Sequence, residues 1–134
     1  MTYFSEHFTE EELACPTTGN LILQEGFIED LEELRVAYAK PMVINSGCRS
    51  YAHNEKLLQD GLPAAKSSLH LIGNRKYATN TLAVDLAKPN IFDQARFIEI
   101  ALRLAWTVRV ANTFIHVDQR TKYTGLKQHF DTYG

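Results

Sequence analysis

The sequence predicts an α+β fold carried by one domain. Three observations lead there. Helix-patterned and strand-patterned segments follow one another in mixed order with short connections. No repeat, low-complexity tract or linker interrupts them. The length of 134 residues suits one core, in which a chain of this size buries roughly two thirds of its unfolded surface.

In chain order, Thr9 and Glu12 have the spacing of a capping box opening a short helix, with Cys15 and Pro16 close to its end. From Gln24 to Lys40, Phe27, Leu31, Leu34 and Tyr38 fall on one helical face until Pro41 stops the run. MVINS then reads as a short strand, Gly47 as a turn, and Ser50 as the N-cap of a helix over residues 51–59 that Gly61 closes. A loop containing Pro63 leads to SSLHLIG, and TLAVDLA follows as a strand. Asn90 caps a helix from Ile91 to Leu104, and TVRVANTFIHVDQR reads as a strand or hairpin region.

A net charge of −2 and a pI near 6.2 supply no broad basic field, which argues against nucleic acid as a partner. The acidic start MTYFSEHFTEEEL has neither the basic nor the apolar region of a secretory signal, so synthesis in the cytoplasm is expected. The most apolar helical stretch, FIEIALRLAWTV, carries Glu99 and Arg103, so no membrane span is expected. Cys15 and Cys48 are too few and too poorly spaced for a disulfide framework or a cysteine zinc site, and are read as free thiols. A monomer is expected.

The period of two in TLAVDLA sends Leu82, Val84 and Leu86 to one face and Ala83, Asp85 and Ala87 to the other. In FIHVD it sends Ile115 and Val117 one way and Phe114, His116 and Asp118 the opposite way. With His70 at a loop edge, these residues make a His/Asp/His set. Three protein ligands with a fourth position left for water is the composition of a catalytic zinc site. Taken singly, a strand histidine is more often a hydrogen-bonded structural residue, and a buried polar network without metal is the competing reading. His7 and His129, near the termini, are expected in solvent, and His53 on the polar face of its helix.

INSGCRSYAHNEKL, SSLHLIG, LAVDLA and FIHVDQR together resemble the zinc D-alanyl-D-alanine carboxypeptidase and L-alanyl-D-glutamate endopeptidase family. That family includes phage endolysins and shares its fold with the Hedgehog signalling domain. Ser46, Gly47, Arg49 and Ser50 match its Ser-Gly-x-Arg-Ser block, and Ser68, His70, Gly73, Ala83 and Asp85 match Ser-x-His-x-x-Gly-x-Ala-x-Asp. His116 and Asp118 resemble the His-Val-Asp form of the closing block, and the likeness covers residues 4–120. The resemblance implies a Hedgehog/DD-peptidase-like α+β fold, with helices packed around a small antiparallel sheet that carries the metal.

It further implies one Zn2+ per chain, held by His70, Asp85 and His116, and a peptidoglycan peptide as substrate. Relatives place an acidic base three positions before the last histidine, where this chain has Thr113. Asp118, on the face of His116, is the substitute favoured as base, the alternative being a carboxylate that orients the histidine. Arg49 looks like the arginine that steadies the substrate carbonyl, against the alternative of a salt bridge near a turn. Ser68 and Asn54 are expected to hold substrate or brace the loop. Fifteen residues separate His70 from Asp85, with NRKYATNT as an apparent insertion that a hairpin or loop can absorb. Without a signal, an enzyme of this kind reaches the wall as a phage lysin after release, or from a virion, or acts on wall peptides in the cytoplasm. A zinc-containing binding module of the same fold, without catalysis, is the reading from a different class.

Overall fold

Thr9 opens the first helix, α1 (Glu10–Leu13), with the reciprocal contacts of a capping box: its Oγ1 accepts from the Glu12 N–H at 3.3 Å, and its own N–H donates to the Glu12 carboxylate at 2.7 Å. The computed structural model describes residues 1–62 and 64–133, so the expected loop position of Pro63 lies outside the described residues. The second helix, α2 (Phe27–Tyr38), buries Phe27, Leu31, Leu34 and Tyr38, the four residues of the sequence pattern. It is shorter than the expected Gln24–Lys40, because left-handed residues bound it: Gly26 at φ 90° and Ala39 at φ 63°. The third helix, α3 (Tyr51–Gln59), starts where Ser50 Oγ accepts from the His53 N–H at 3.0 Å. The fourth, α4 (Ile91–Arg103), starts on Asn90, whose Oδ1 accepts from the Asp93 N–H at 2.9 Å.

The strands are β1 (Ile44–Ser46), β2 (Ala83–Ala87), β3 (Thr107–Val110), β4 (Phe114–Asp118) and, after a short helix α5 (Arg120–Thr124), β5 (Phe130–Thr132). They form one sheet in the order β1-β2-β4-β3-β5. The first four pair antiparallel, but β5 runs parallel to β3, so the sheet is mixed where an antiparallel one was expected. The connection through α5 starts β5 at the end of the sheet where β4 finishes and carries it past β3 to the far edge. There it can only run with β3.

Alternation gives the sheet two unlike faces. Val84, Leu86, Val108, Ile115 and Val117 join the core with the buried faces of α2 and α4, where Tyr38 meets Phe97 edge-on at 5.1 Å and Phe27 meets Trp106 at 5.6 Å. The opposite face carries a polar row across all five strands: Ser46 pairs with Asp85, Asp85 with His116, His116 with Arg109, and Arg109 with Asp131. The inserted segment is a tight turn closed by an Asn74–Thr79 bridge, with Ala78 left-handed at φ 56°. Both cysteines are buried free thiols. No helix among the described residues is long and apolar enough to cross a membrane.

Candidate metal centre

His70 is delivered by a segment tied down on both sides. The Arg49 N–H donates to the His70 carbonyl at 2.9 Å, Thr81 Oγ1 donates to the same carbonyl at 2.7 Å, and the Leu82 N–H reaches the Leu69 carbonyl at 3.0 Å. Ser68 Oγ accepts from the His70 N–H at 3.2 Å. The side chain is oriented by Gly47, whose carbonyl lies 2.7 Å from His70 Nδ1. Gly47 can pack there only without a side chain, since a Cβ would stand 2.5 Å from the Leu13 carbonyl oxygen. Read from the sequence as a turn, Gly47 is instead a close crossing of two backbones, and its carbonyl fixes the ring.

Asp85 on β2 and His116 on β4 face each other in register. Asp85 Oδ1 lies 3.1 Å from His70 Nε2 and 2.9 Å from His116 Nδ1, and the two rings stand 5.3 Å apart. His70, Asp85 and His116 each offer one ligand atom, all within 4.8 Å of one another. The outer contacts decide what these atoms present. A carbonyl only accepts, so His70 Nδ1 carries the hydrogen, and in the neutral ring Nε2 aims a lone pair at Asp85. His116 Nε2 faces the Asp118 carboxylate at 2.7 Å, which puts a hydrogen there and makes Nδ1 the inward atom. Two nitrogens and a carboxylate oxygen thus converge on one buried point, a donor set that suits a divalent transition ion such as zinc.

Charges at the centre are shared in a definite way. Burial lowers the pKa of His70 and favours its neutral, ligating form. Burial acts in the same sense on His116, but its hydrogen bonds to Asp118 and Asp85 outweigh it and raise the ring to about 9. Burial alone would push the Asp85 carboxyl up, whereas the neighbouring imidazoles hold it well below the usual range. Asp118 is likewise held down, at about 2, by His116 and Arg120 against the effect of burial.

Arg49 Nη2 donates to Asp85 Oδ2 at 3.2 Å and its Nε to Ser46 Oγ at 3.3 Å, while the side chain also lines the cleft above the centre. Asp118 is fully buried. It meets His116 Nε2 and takes three donors from Arg120: the N–H and Nε on Oδ1 at 2.9 and 3.0 Å, and Nη2 on Oδ2 at 2.7 Å. Asp118 thus meets the ring nitrogen of His116 that faces away from Asp85. The alternation of FIHVD shows which face Asp118 takes but not which nitrogen of His116 it meets. Ser68 lines the cleft, whereas Asn54 stands behind it on α3, buried, with Nδ2 donating to the Ala65 carbonyl at 2.8 Å. Thr113 is exposed. His7, expected in solvent, is half-buried against Glu32 at 2.5 Å. Glu6, His7 and Glu32 form a second possible ligand group among the described residues, but Glu32 already accepts from Ser5 and from the His7 N–H.

The cleft measures about 520 Å³. Besides the expected residues it is walled by Tyr77 of the insertion, Phe114, Arg109, Arg120 and Tyr133. Sequence reasoning assigned no role to the last three. Arg109 was within reach, because it occupies the same alternating face one strand from His116.

A buried His/Asp/His centre at the floor of an open cleft is the arrangement of a single-metal hydrolase. A family model described as peptidase M15 matches residues 6–118, and the chain belongs to that family of metal-dependent peptidases. No curated protein and no solved structure matches the chain.

Proposed function

We propose that the protein is a zinc peptidase that hydrolyses peptidoglycan stem peptides, as a D-Ala-D-Ala carboxypeptidase or as an endopeptidase cutting L-Ala-D-Glu or DD bonds, in the setting of a phage lysin. The observation that carries this reading is the convergence of His70 Nε2, Asp85 Oδ1 and His116 Nδ1 at the floor of the cleft in a peptidase M15 chain. Zinc bound there would supply a water activated near neutral pH and would polarise the scissile carbonyl. Arg49 keeps Asp85 in place and sets a fixed positive charge beside the carbonyl. Asp118 fixes the tautomer of His116, and Arg120 holds Asp118. Ser68 and Asn54 brace the segment that presents His70, with Ser68 also available to substrate.

A second reading, a zinc-containing binding module without turnover, is favoured by two observations: Asp85 is the only carboxylate lining the cleft among the described residues, and Thr113 stands where relatives carry an acid. Metal content and digestion of muropeptides separate the two. The peptidase reading expects about one zinc per chain in the wild type, little in His116→Ala, and new amino termini or released D-alanine on digestion. One zinc with no cleavage of any stem peptide supports the binding module instead. Asp118→Asn is expected to weaken zinc binding by about 10- to 100-fold. Full zinc occupancy with lost hydrolysis would make Asp118 the base.

A further inference from the structure

Tyr133 follows β5, and the alternation that puts Asp131 on the face of Arg109 and His116 puts Tyr133 there as well. Its N–H donates to the Val110 carbonyl at 2.8 Å and extends the pairing with β3 by one residue. The ring is clamped between the Arg109 guanidinium, 4.5 Å from its centroid, and the Phe114 ring, edge-on at 6.2 Å. So held, Tyr133 walls the same cleft as His70, Asp85 and His116, and its hydroxyl has no hydrogen-bond partner among the described residues. Burial and then the Asp85 carboxylate push its phenol up, which keeps the proton on the oxygen at neutral pH. Arg49 lines the same cleft and brings its charge to it with Nη2 bonded to Asp85 and Nε to Ser46. The residue also lies beyond the 6–118 family match, so that match says nothing about it.

We propose that Tyr133 is a catalytic residue, whose hydroxyl donates a hydrogen bond to the scissile carbonyl oxygen as that oxygen becomes an oxyanion. The assignment rests on the peptidase reading above. In the addition, a water oxygen bonds to the carbonyl carbon and the C=O π pair moves onto oxygen, where the Tyr133 O–H meets it. In the collapse the C=O re-forms, the C–N bond breaks, and the proton given up by the water ends on the leaving nitrogen. Tyr133 keeps its own proton throughout.

Tyr133→Phe retains the ring, its clamp and the strand pairing, and removes only the donor. Loss of one oxyanion donor predicts a kcat lower by about 100-fold with KM within about twofold. A phosphinate dipeptide analogue, tetrahedral like the addition product, is expected to bind Tyr133→Phe more weakly by a comparable factor. A planar uncleavable amide analogue should bind both proteins equally, with zinc content and Tm unchanged. Wild-type kcat and wild-type phosphinate affinity in the variant would overturn the assignment, as would a loss shared equally by the planar analogue or by zinc. A wild type that cleaves no stem peptide and binds neither analogue overturns the peptidase reading, and this assignment with it.

Discussion

His116 presents its two ring nitrogens to two carboxylates, Nε2 to Asp118 and Nδ1 to Asp85. Because the metal-free ring is raised to about 9, an ion entering below that pH must displace a proton from Nδ1. Zinc affinity is therefore expected to rise about tenfold per pH unit from neutrality to about 9 and then level off, which a chelator competition at several pH values measures. The sign for the metal-free fold is opposite. Its stabilisation by the protonated ring is complete below the ordinary histidine value of 6.5 and is lost as pH rises through about 9. The three converging residues were legible in the sequence because strand alternation fixes the faces of Asp85 and His116, while His70, on which alternation is silent, joined them as a loop-edge histidine that the motif resemblance then matched. Both roles weighed for Asp118 were legible, but its contacts were not: alternation does not show that it meets Nε2 of His116 or that Arg120, two residues on, turns back to bind it.

At the scale of elements, the insertion between His70 and Asp85 is a brace for the site. Asn74 donates to the carbonyls of Ser67 and Ser68 at 3.2 and 3.1 Å and accepts from the N–H groups of Lys76 and Tyr77 at 2.9 and 3.0 Å. One buried amide thus holds both the turn that carries Tyr77 and the segment that carries His70. Asn74→Ala, which leaves buried backbone groups without partners, is expected to cost about 1–3 kcal/mol in chemical denaturation. Unchanged stability would show that the turn holds itself. Three helices were readable from their caps at Thr9, Ser50 and Asn90, where a local side chain sets the boundary, and α2 from its apolar period, but α5, which has no side-chain cap, was not read. The closing β5 was not, because a three-residue strand with two exposed positions has almost no alternation to detect. Its place depends on the free edge of β3.

On the scale of the whole molecule, the mixed sheet separates two kinds of work. One face is committed to the core with α2 and α4, and the other lines up Ser46, Asp85, His116, Arg109 and Asp131 beneath the cleft. An ion held by β2, β4 and the segment before β2 stabilises only the folded arrangement. At a free zinc concentration about 100 times Kd the gain is about 2.7 kcal/mol, read as a higher Tm in the wild type and none in His116→Ala. The same geometry dictates how the sheet comes apart. With an ion bound, β2 and β4 could not part without giving it up, whereas β5, joined by three paired residues and the Arg109–Asp131 bridge, would lie beyond its reach. Amide protons of β2 and β4 therefore exchange with solvent more slowly once zinc is bound. Those of β5 fray at their own rate, and the wall bearing Tyr133 can loosen while the centre stays closed.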